Sequence, residues 1–175
     1  NHTEGKSLRL NQQYFLVSAT VQDIIRRHLR KYKTLTNLGE KVAIHLNDTH
    51  PVLAVPELMR IMLDECGYKW DDAWAIVKKT VAYTNHTVMK EALECWGEDM
   101  FRQKLPRIYQ IVCEINRRYL EELKWKGVSD EQIRRMSAIG DGYVKMANLA
   151  VLSSHKVNGV SALHSEILKE TVFSD

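Results

Sequence analysis

The chain of 175 residues is poor in the features that declare a function quickly. It has three cysteines, Cys66, Cys95 and Cys113, an odd number with no CxxC spacing. That implies neither a disulfide framework nor a thiolate zinc site, and free thiols point to a reducing compartment. No run approaches the ~18 apolar residues of a membrane span, and no signal-peptide pattern appears. There is no G-x-G-x-x-G, no P-loop, no G-x-S-x-G elbow and no HExxH. Dinucleotide binding, NTP hydrolysis, serine hydrolysis and zincin chemistry therefore lack their usual marks. No repeat, low-complexity segment or linker breaks the chain, so it reads as one unit of ordinary domain length. The net charge of +3 is too small to argue for a nucleic-acid partner. The local cluster Arg26, Arg27, His28, Arg30, Lys31 and Lys33 reads as a solvated helix end, where cations complement the macrodipole.

What is present is a helix-dominated pattern of 45% hydrophobic and 27% charged residues. Leu10, Tyr14, Val17, Val21, Ile24, Ile25 and Leu29 recur at helical spacing, predicting an amphipathic helix from Leu8 to about Tyr32. Pro56–Glu65, with Gly67 beyond it, reads as a second helix led by its proline. Trp70–Lys79 and Arg107–Lys126 follow, the first with Trp70, Trp74 and Val77 turned inward. Met89–Trp96 reads as one or two helical turns in a loop. Ser129-Asp130-Glu131-Gln132 has the spacing of a capping box. Val144–Leu152 and Ala162–Glu170 are apolar segments, with Asn158-Gly159 as a turn signal between them.

Two apolar runs, Val42–Leu46 and Thr80–Tyr83, read as short buried strands. Each is followed by a polar turn, Asn47-Asp48-Thr49-His50-Pro51 in one case and Tyr83-Thr84-Asn85-His86-Thr87 in the other. A helix-forming segment comes next each time. In open α/β sheets ligands bind beyond the carboxyl ends of the strands. Both turns fall there, supplying carboxylate, amide, hydroxyl and imidazole groups suited to a polyhydroxylated ligand. A simpler reading of Asp48 and Thr49 is capping of a proline-led helix. Asn85 and Thr87 can likewise serve as turn caps, and Glu91 and Glu94, three apart, can share a solvated helical face. Three tripeptides fit the N-glycosylation acceptor at Asn1, Asn47 and Asn85, but nothing else suggests secretion. The start without Met and the stop after a helix-like run suggest a piece of something longer, as do strands too few for a stable sheet.

Taken in order, several stretches resemble the α-glucan phosphorylases, which act on glycogen, starch or maltodextrin. They include Leu8-Arg9-Leu10, Gln13-Tyr14-Phe15, Asp23-Ile24-Ile25-Arg26-Arg27 and Leu46-Asn47-Asp48-Thr49-His50-Pro51. Pro56-Glu57-Leu58-Met59-Arg60, Tyr83-Thr84-Asn85-His86-Thr87 and Glu91-Ala92-Leu93-Glu94 continue the match. Glu114-Ile115-Asn116, Val157-Asn158-Gly159-Val160 and His164-Ser165-Glu166-Ile167-Leu168 complete it. Asn1-His2-Thr3 with Gly5-Lys6 is most similar to the bacterial members.

The resemblance implies a helix-rich α/β fold. Residues 1–175 would form one partial domain, the interior and later part of the N-terminal Rossmann-like half of a two-domain, GT-B-like glycosyltransferase. It implies conversion of an α-1,4-glucan and inorganic phosphate into glucose 1-phosphate and a shortened glucan. Pyridoxal phosphate would sit on a lysine of a C-terminal domain outside this chain, in a cytoplasmic parent that forms homodimers. His86 would contact the transferred glucosyl unit, its side chain at the 6-hydroxyl and its backbone carbonyl toward the anomeric carbon. Asn1 matches the end of a gating loop that binds the same sugar. Arg9, Asp48 and His50 would line the acceptor side, which Glu91 and Glu94 would shape. Lys90 and Cys95 depart from the Pro and Arg of many members. The isolated chain is expected to be inactive. A non-catalytic carbohydrate-binding module is the main rival. A metal-dependent hydrolase using Asp48, His50, His86 and His155 is a lesser one, and a nucleic-acid binder using the Arg26–Lys33 cluster is weaker still.

Overall fold

The computed structural model describes residues 2–87 and 93–160. Helix α1 (His2–Tyr32) is the long amphipathic helix expected from the spacing. Leu10, Val17, Val21 and Ile25 form its buried stripe, while Arg26, Arg27 and Arg30 lie outward. A short helix α2 (Leu38–Lys41) leads to strand β1 (Ile44–Asn47). Helix α3 (Ala54–Arg60) runs into a π-helical turn, Ile61–Glu65, and Gly67 beyond it adopts φ +70°, where a side chain would be strained. Helix α4 (Trp70–Thr80) feeds directly into strand β2 (Val81–Asn85).

The second half holds strand β3 (Cys95–Gly97), helix α5 (Glu98–Lys104) and the long helix α6 (Pro106–Trp125). Helix α7 (Asp130–Met136) follows, then β4 (Ile139–Gly140), β5 (Tyr143–Lys145), α8 (Met146–Ser153) and β6 (Val157–Gly159). The Ser129 side chain accepts from the Gln132 backbone N–H while Gln132 reaches back, the reciprocal capping box that the sequence signalled.

Two sheets form among the described residues. One is parallel, in the order β1-β2-β6, and the other is antiparallel, β3-β5-β4. The parallel sheet is the one that matters for a site. Its register sets Asn47 opposite Thr84 and Asn85 opposite Gly159. The core between sheet and helices is closed by Leu46, Val81, Tyr83, Leu58, Met59, Ile111 and Val112. Among the described residues no helix is long and apolar enough to cross a membrane.

Several expectations are corrected. Cys95 and Trp96 are strand, not helix, because their backbone pairs with Lys145 and Val144 of β5. Leu93 and Glu94 are not helical either, while Met89–Ala92 of that expected turn and the apolar segment from Ala162 lie outside the described residues. Asn158-Gly159 is strand rather than turn, since pairing with Thr84 and Asn85 overrides the local preference. Helix α3 starts at Ala54, so Pro56 is its third residue, and neither Asp48 nor Thr49 caps it. The turn formed by 50–53 intervenes, with Val52 N–H bonding the Thr49 carbonyl. Val77 is buried as expected, but Trp70 and Trp74 are only half-buried. They line a cleft of about 410 Å³ against Arg118 and Tyr119 of α6.

A buried carboxylate ties α1 to α3. Glu57 is fully buried, and its oxygens accept from Tyr14 Oη at 2.9 Å and Ser18 Oγ at 2.8 Å. Arg60 adds a two-pronged contact through Nε at 2.8 Å and Nη2 at 2.9 Å. Burial, reinforced by the bond to Glu57, pushes the Tyr14 phenol up to about 12. Burial does the same to Tyr83, also to about 12. Both values exceed the ordinary 10.0, so these phenols stabilise the fold fully below that value and lose the effect as pH rises through about 12. The urea midpoint is therefore expected to fall more steeply between about pH 10 and 12 in the native chain than in Tyr14→Phe. Matching slopes in the two proteins would refute this account.

Candidate functional site

The site is built at the carboxyl ends of β1 and β2. Successive residues of a strand face opposite ways. Leu46 and Tyr83 therefore go to the core, and His45, Asn47, Thr84 and His86 share the other face. Their hydrogen bonds show this directly. His45 Nε2 lies 2.6 Å from Thr84 Oγ1, which in turn donates to Asn158 Oδ1 at 2.9 Å. The single hydroxyl proton of Thr84 is committed to Asn158, so His45 is the donor in its pair and carries its proton on Nε2. The result is a polar ladder across all three parallel strands.

One step further on, His86 Nε2 lies 2.5 Å from Asn47 Oδ1. Both residues are exposed, so the pair is open to a ligand. The backbone around His86 is fixed too. The Asn85 side chain accepts from the Thr87 N–H at 2.7 Å and donates to Tyr83 Oη at 2.9 Å. Asn85 is fully buried, which makes this turn rigid.

Asp48 takes φ +68°, a left-handed conformation uncommon for a residue with a side chain. Two contacts hold it there. Its backbone N–H donates to the Thr84 carbonyl at 2.9 Å, extending the β1–β2 ladder past the strand end. Its Oδ1 accepts from the Thr49 N–H at 2.7 Å. His50 is exposed and opens on a mostly apolar groove of about 300 Å³ between α1 and β1, lined by Val17, Val21, Ile44, His45 and Pro51. The structure thus brings His86 against Asn47, next in sequence to Asp48, while His50 looks toward α1.

Arg9 and Glu94 are distant in sequence but paired. Arg9 Nη2 reaches Glu94 Oε1 at 2.9 Å, and Gln13 Nε2, one turn along α1, reaches the same oxygen at 3.1 Å. Glu94 Oε2 and Gln13 Oε1 are buried with no hydrogen-bond partner among the described residues. An unpartnered buried carboxylate oxygen is costly, and it marks this corner as one that a polar group can complete. Asn1, Glu91 and His164 lie outside the described residues. His155 is exposed, its backbone N–H bonding the Val81 carbonyl. Among the described residues no three His, Cys, Asp or Glu side chains gather as a metal site.

The sequence offered Asn47 and Thr84 only as members of the polar turns, with no role of their own, and His45 and Asn158 were passed over. The signal was available for two of them: period-two alternation in β1 puts His45 and Asn47 opposite buried Leu46.

The profile of the carbohydrate phosphorylase family matches residues 1–175. The chain is 50% identical over 175 residues to glycogen phosphorylase of Haemophilus influenzae, covering 98% of the chain and 21% of that protein. It is 50% identical to glycogen phosphorylase of Bacillus subtilis, over 99% of the chain and 22% of the relative. The muscle form of glycogen phosphorylase from Ovis aries is 51% identical over 187 residues, covering 100% of the chain and 22% of the relative. The chain spans about a fifth of the length of these curated relatives. The family match over every residue, together with a helix-rich α/β fold that gathers its polar turns at parallel strand ends, makes this chain a member of the carbohydrate phosphorylase family.

Proposed function

We propose that this chain is a single partial domain, the interior and later part of the N-terminal Rossmann-like half of a bacterial-type α-glucan phosphorylase. The whole protein transfers a glucosyl unit from an α-1,4-glucan to inorganic phosphate, releasing glucose 1-phosphate. It works in the cytoplasm as a homodimer with two such halves facing a cleft. The observation that carries the reading is the adjacency of His86 and Asn47 at neighbouring parallel strand ends, exposed and fixed from both sides.

In this reading His86 binds the 6-hydroxyl of the transferred sugar. Its backbone carbonyl points at the anomeric carbon, where a preorganised dipole stabilises developing positive charge. The Arg9–Glu94 pair, Asp48 and His50 shape the acceptor side, a role that the resemblance extends to Glu91. Asn1 belongs to the gate over the sugar. Apart from the Arg9 guanidinium, which is paired with Glu94, these are amide, imidazole and carboxylate groups, suited to sugar hydroxyls. Pyridoxal phosphate, which the family resemblance implies, would be held by a lysine of the other domain and would supply proton transfer through its phosphate when bound. No pair of carboxylates is assigned to acid and nucleophile roles, unlike ordinary retaining glycosidases.

The parent protein is expected to release glucose 1-phosphate from maltoheptaose and phosphate, and the 175-residue chain alone to release none. Activity in the isolated chain would overturn the division of labour between domains. Tight maltodextrin binding by the chain alone would replace the reading with that of a binding module.

A further inference from the structure

We propose that Asn47 is a positioning residue for His86, holding its imidazole in the tautomer that leaves Nδ1 as a hydrogen-bond acceptor toward the sugar. The inference rests on the reading of His86 as the group at the 6-hydroxyl. A neutral imidazole has one N–H and one lone pair. Asn47 presents its carbonyl oxygen to Nε2 at 2.5 Å, so the ring proton sits on Nε2. The lone pair is then on Nδ1, the remaining nitrogen, and can receive a hydroxyl proton.

The surroundings make Asn47 fit for this task. It is the last residue of β1, and the Asp48 N–H to Thr84 carbonyl bond pins the chain directly after it. On the other strand, the Asn85 side chain pins the turn that carries His86. The two backbones are therefore fixed independently, and the amide bridges them. The next pair down the sheet repeats the arrangement: His45 also donates from Nε2, to Thr84. A carboxylate in place of Asn47 would still accept from Nε2–H, whereas an alkyl chain would not. If the amide were instead turned to donate, a carboxylate there would face the Nε2 lone pair and repel it.

The test uses the full-length parent in the glucan-synthesis direction, with α-D-glucose 1-phosphate and its 6-deoxy analogue as donors. Asn47→Leu is expected to lower kcat/KM for glucose 1-phosphate about 10- to 100-fold, mainly in kcat, because the ring is no longer oriented. KM for the acceptor glucan should stay unchanged. The preference for glucose 1-phosphate over the 6-deoxy donor should shrink to within about tenfold, which a merely structural residue would not cause. Asn47→Asp, which keeps an acceptor, should retain kcat/KM within about tenfold of the native enzyme. Native kinetics and native discrimination in Asn47→Leu would overturn the proposal, and so would Asn47→Asp falling below Asn47→Leu. A native parent that fails to use glucose 1-phosphate at all would overturn the underlying reading instead.

Discussion

Replacing Glu57 with alanine is expected to destabilise the protein by about 3–5 kcal/mol, since breaking a buried ion pair leaves its partner charge uncompensated. Arg60 keeps only 20% of its side chain exposed. Without Glu57 its guanidinium is left with Glu65 alone, at 2.8 Å and near the surface. The hydroxyls of Tyr14 and Ser18 lose their acceptors in the same step, and α1 loses its polar anchor on α3. Urea unfolding followed by near-ultraviolet dichroism measures the change. A loss below about 1 kcal/mol would show that water replaces the carboxylate without penalty.

A paired substitution separates the charge from the packing. Removing both ions together, as Glu57→Leu with Arg60→Met, leaves no orphan charge. The double variant is then expected to lose about 2 kcal/mol, less than Glu57→Ala alone, with the residue attributable to the two hydroxyls. Additive losses would mean that the two side chains act independently.

How far the sequence foretold this arrangement varies from element to element, for physical reasons. The helices α1, α4 and α6 were legible because each buries a stripe at helical spacing. The capping box at Ser129 was legible because it is a local reciprocal bond. The antiparallel sheet was not. Its strands are two or three residues long, too short for alternation to register, and they exist through pairing across the chain. Asn158-Gly159 misled for the same reason. At the site, strand–turn–helix order placed the first polar turn at a parallel strand end; the second lies at one too, although Leu93 and Glu94 beyond it are not helical and Cys95–Gly97 is strand. The partner of His86 did not follow from that order, because it depends on register, and register is set by the contact of β1 with β2. The Arg9–Glu94 pair joins residues 85 positions apart and left no mark in spacing.

His86→Ala in the full-length parent is expected to lower kcat/KM about 100-fold or more, with most of the loss in kcat. Two effects combine. In the proposed reading the imidazole contact to the sugar disappears, worth a factor of about 10 on its own. The Asn47–His86 bridge between the two strand ends disappears too, so in the proposed reading the sugar is held less closely against the carbonyl of residue 86. Small misplacements at a reacting centre cost about a further order of magnitude or two. The Asn85–Thr87 turn survives the substitution, so the carbonyl stays in place and activity is not abolished. His86→Asn, which can keep one acceptor near the same place, should recover part of the loss. Arg9→Ala offers the contrast: its charge is paired with Glu94, on the acceptor side in the proposed reading, so the change should appear in KM for the glucan with kcat little altered. A defect in His86→Ala confined to KM would mean that the ring binds ground state and transition state alike, and would remove it from the catalytic machinery.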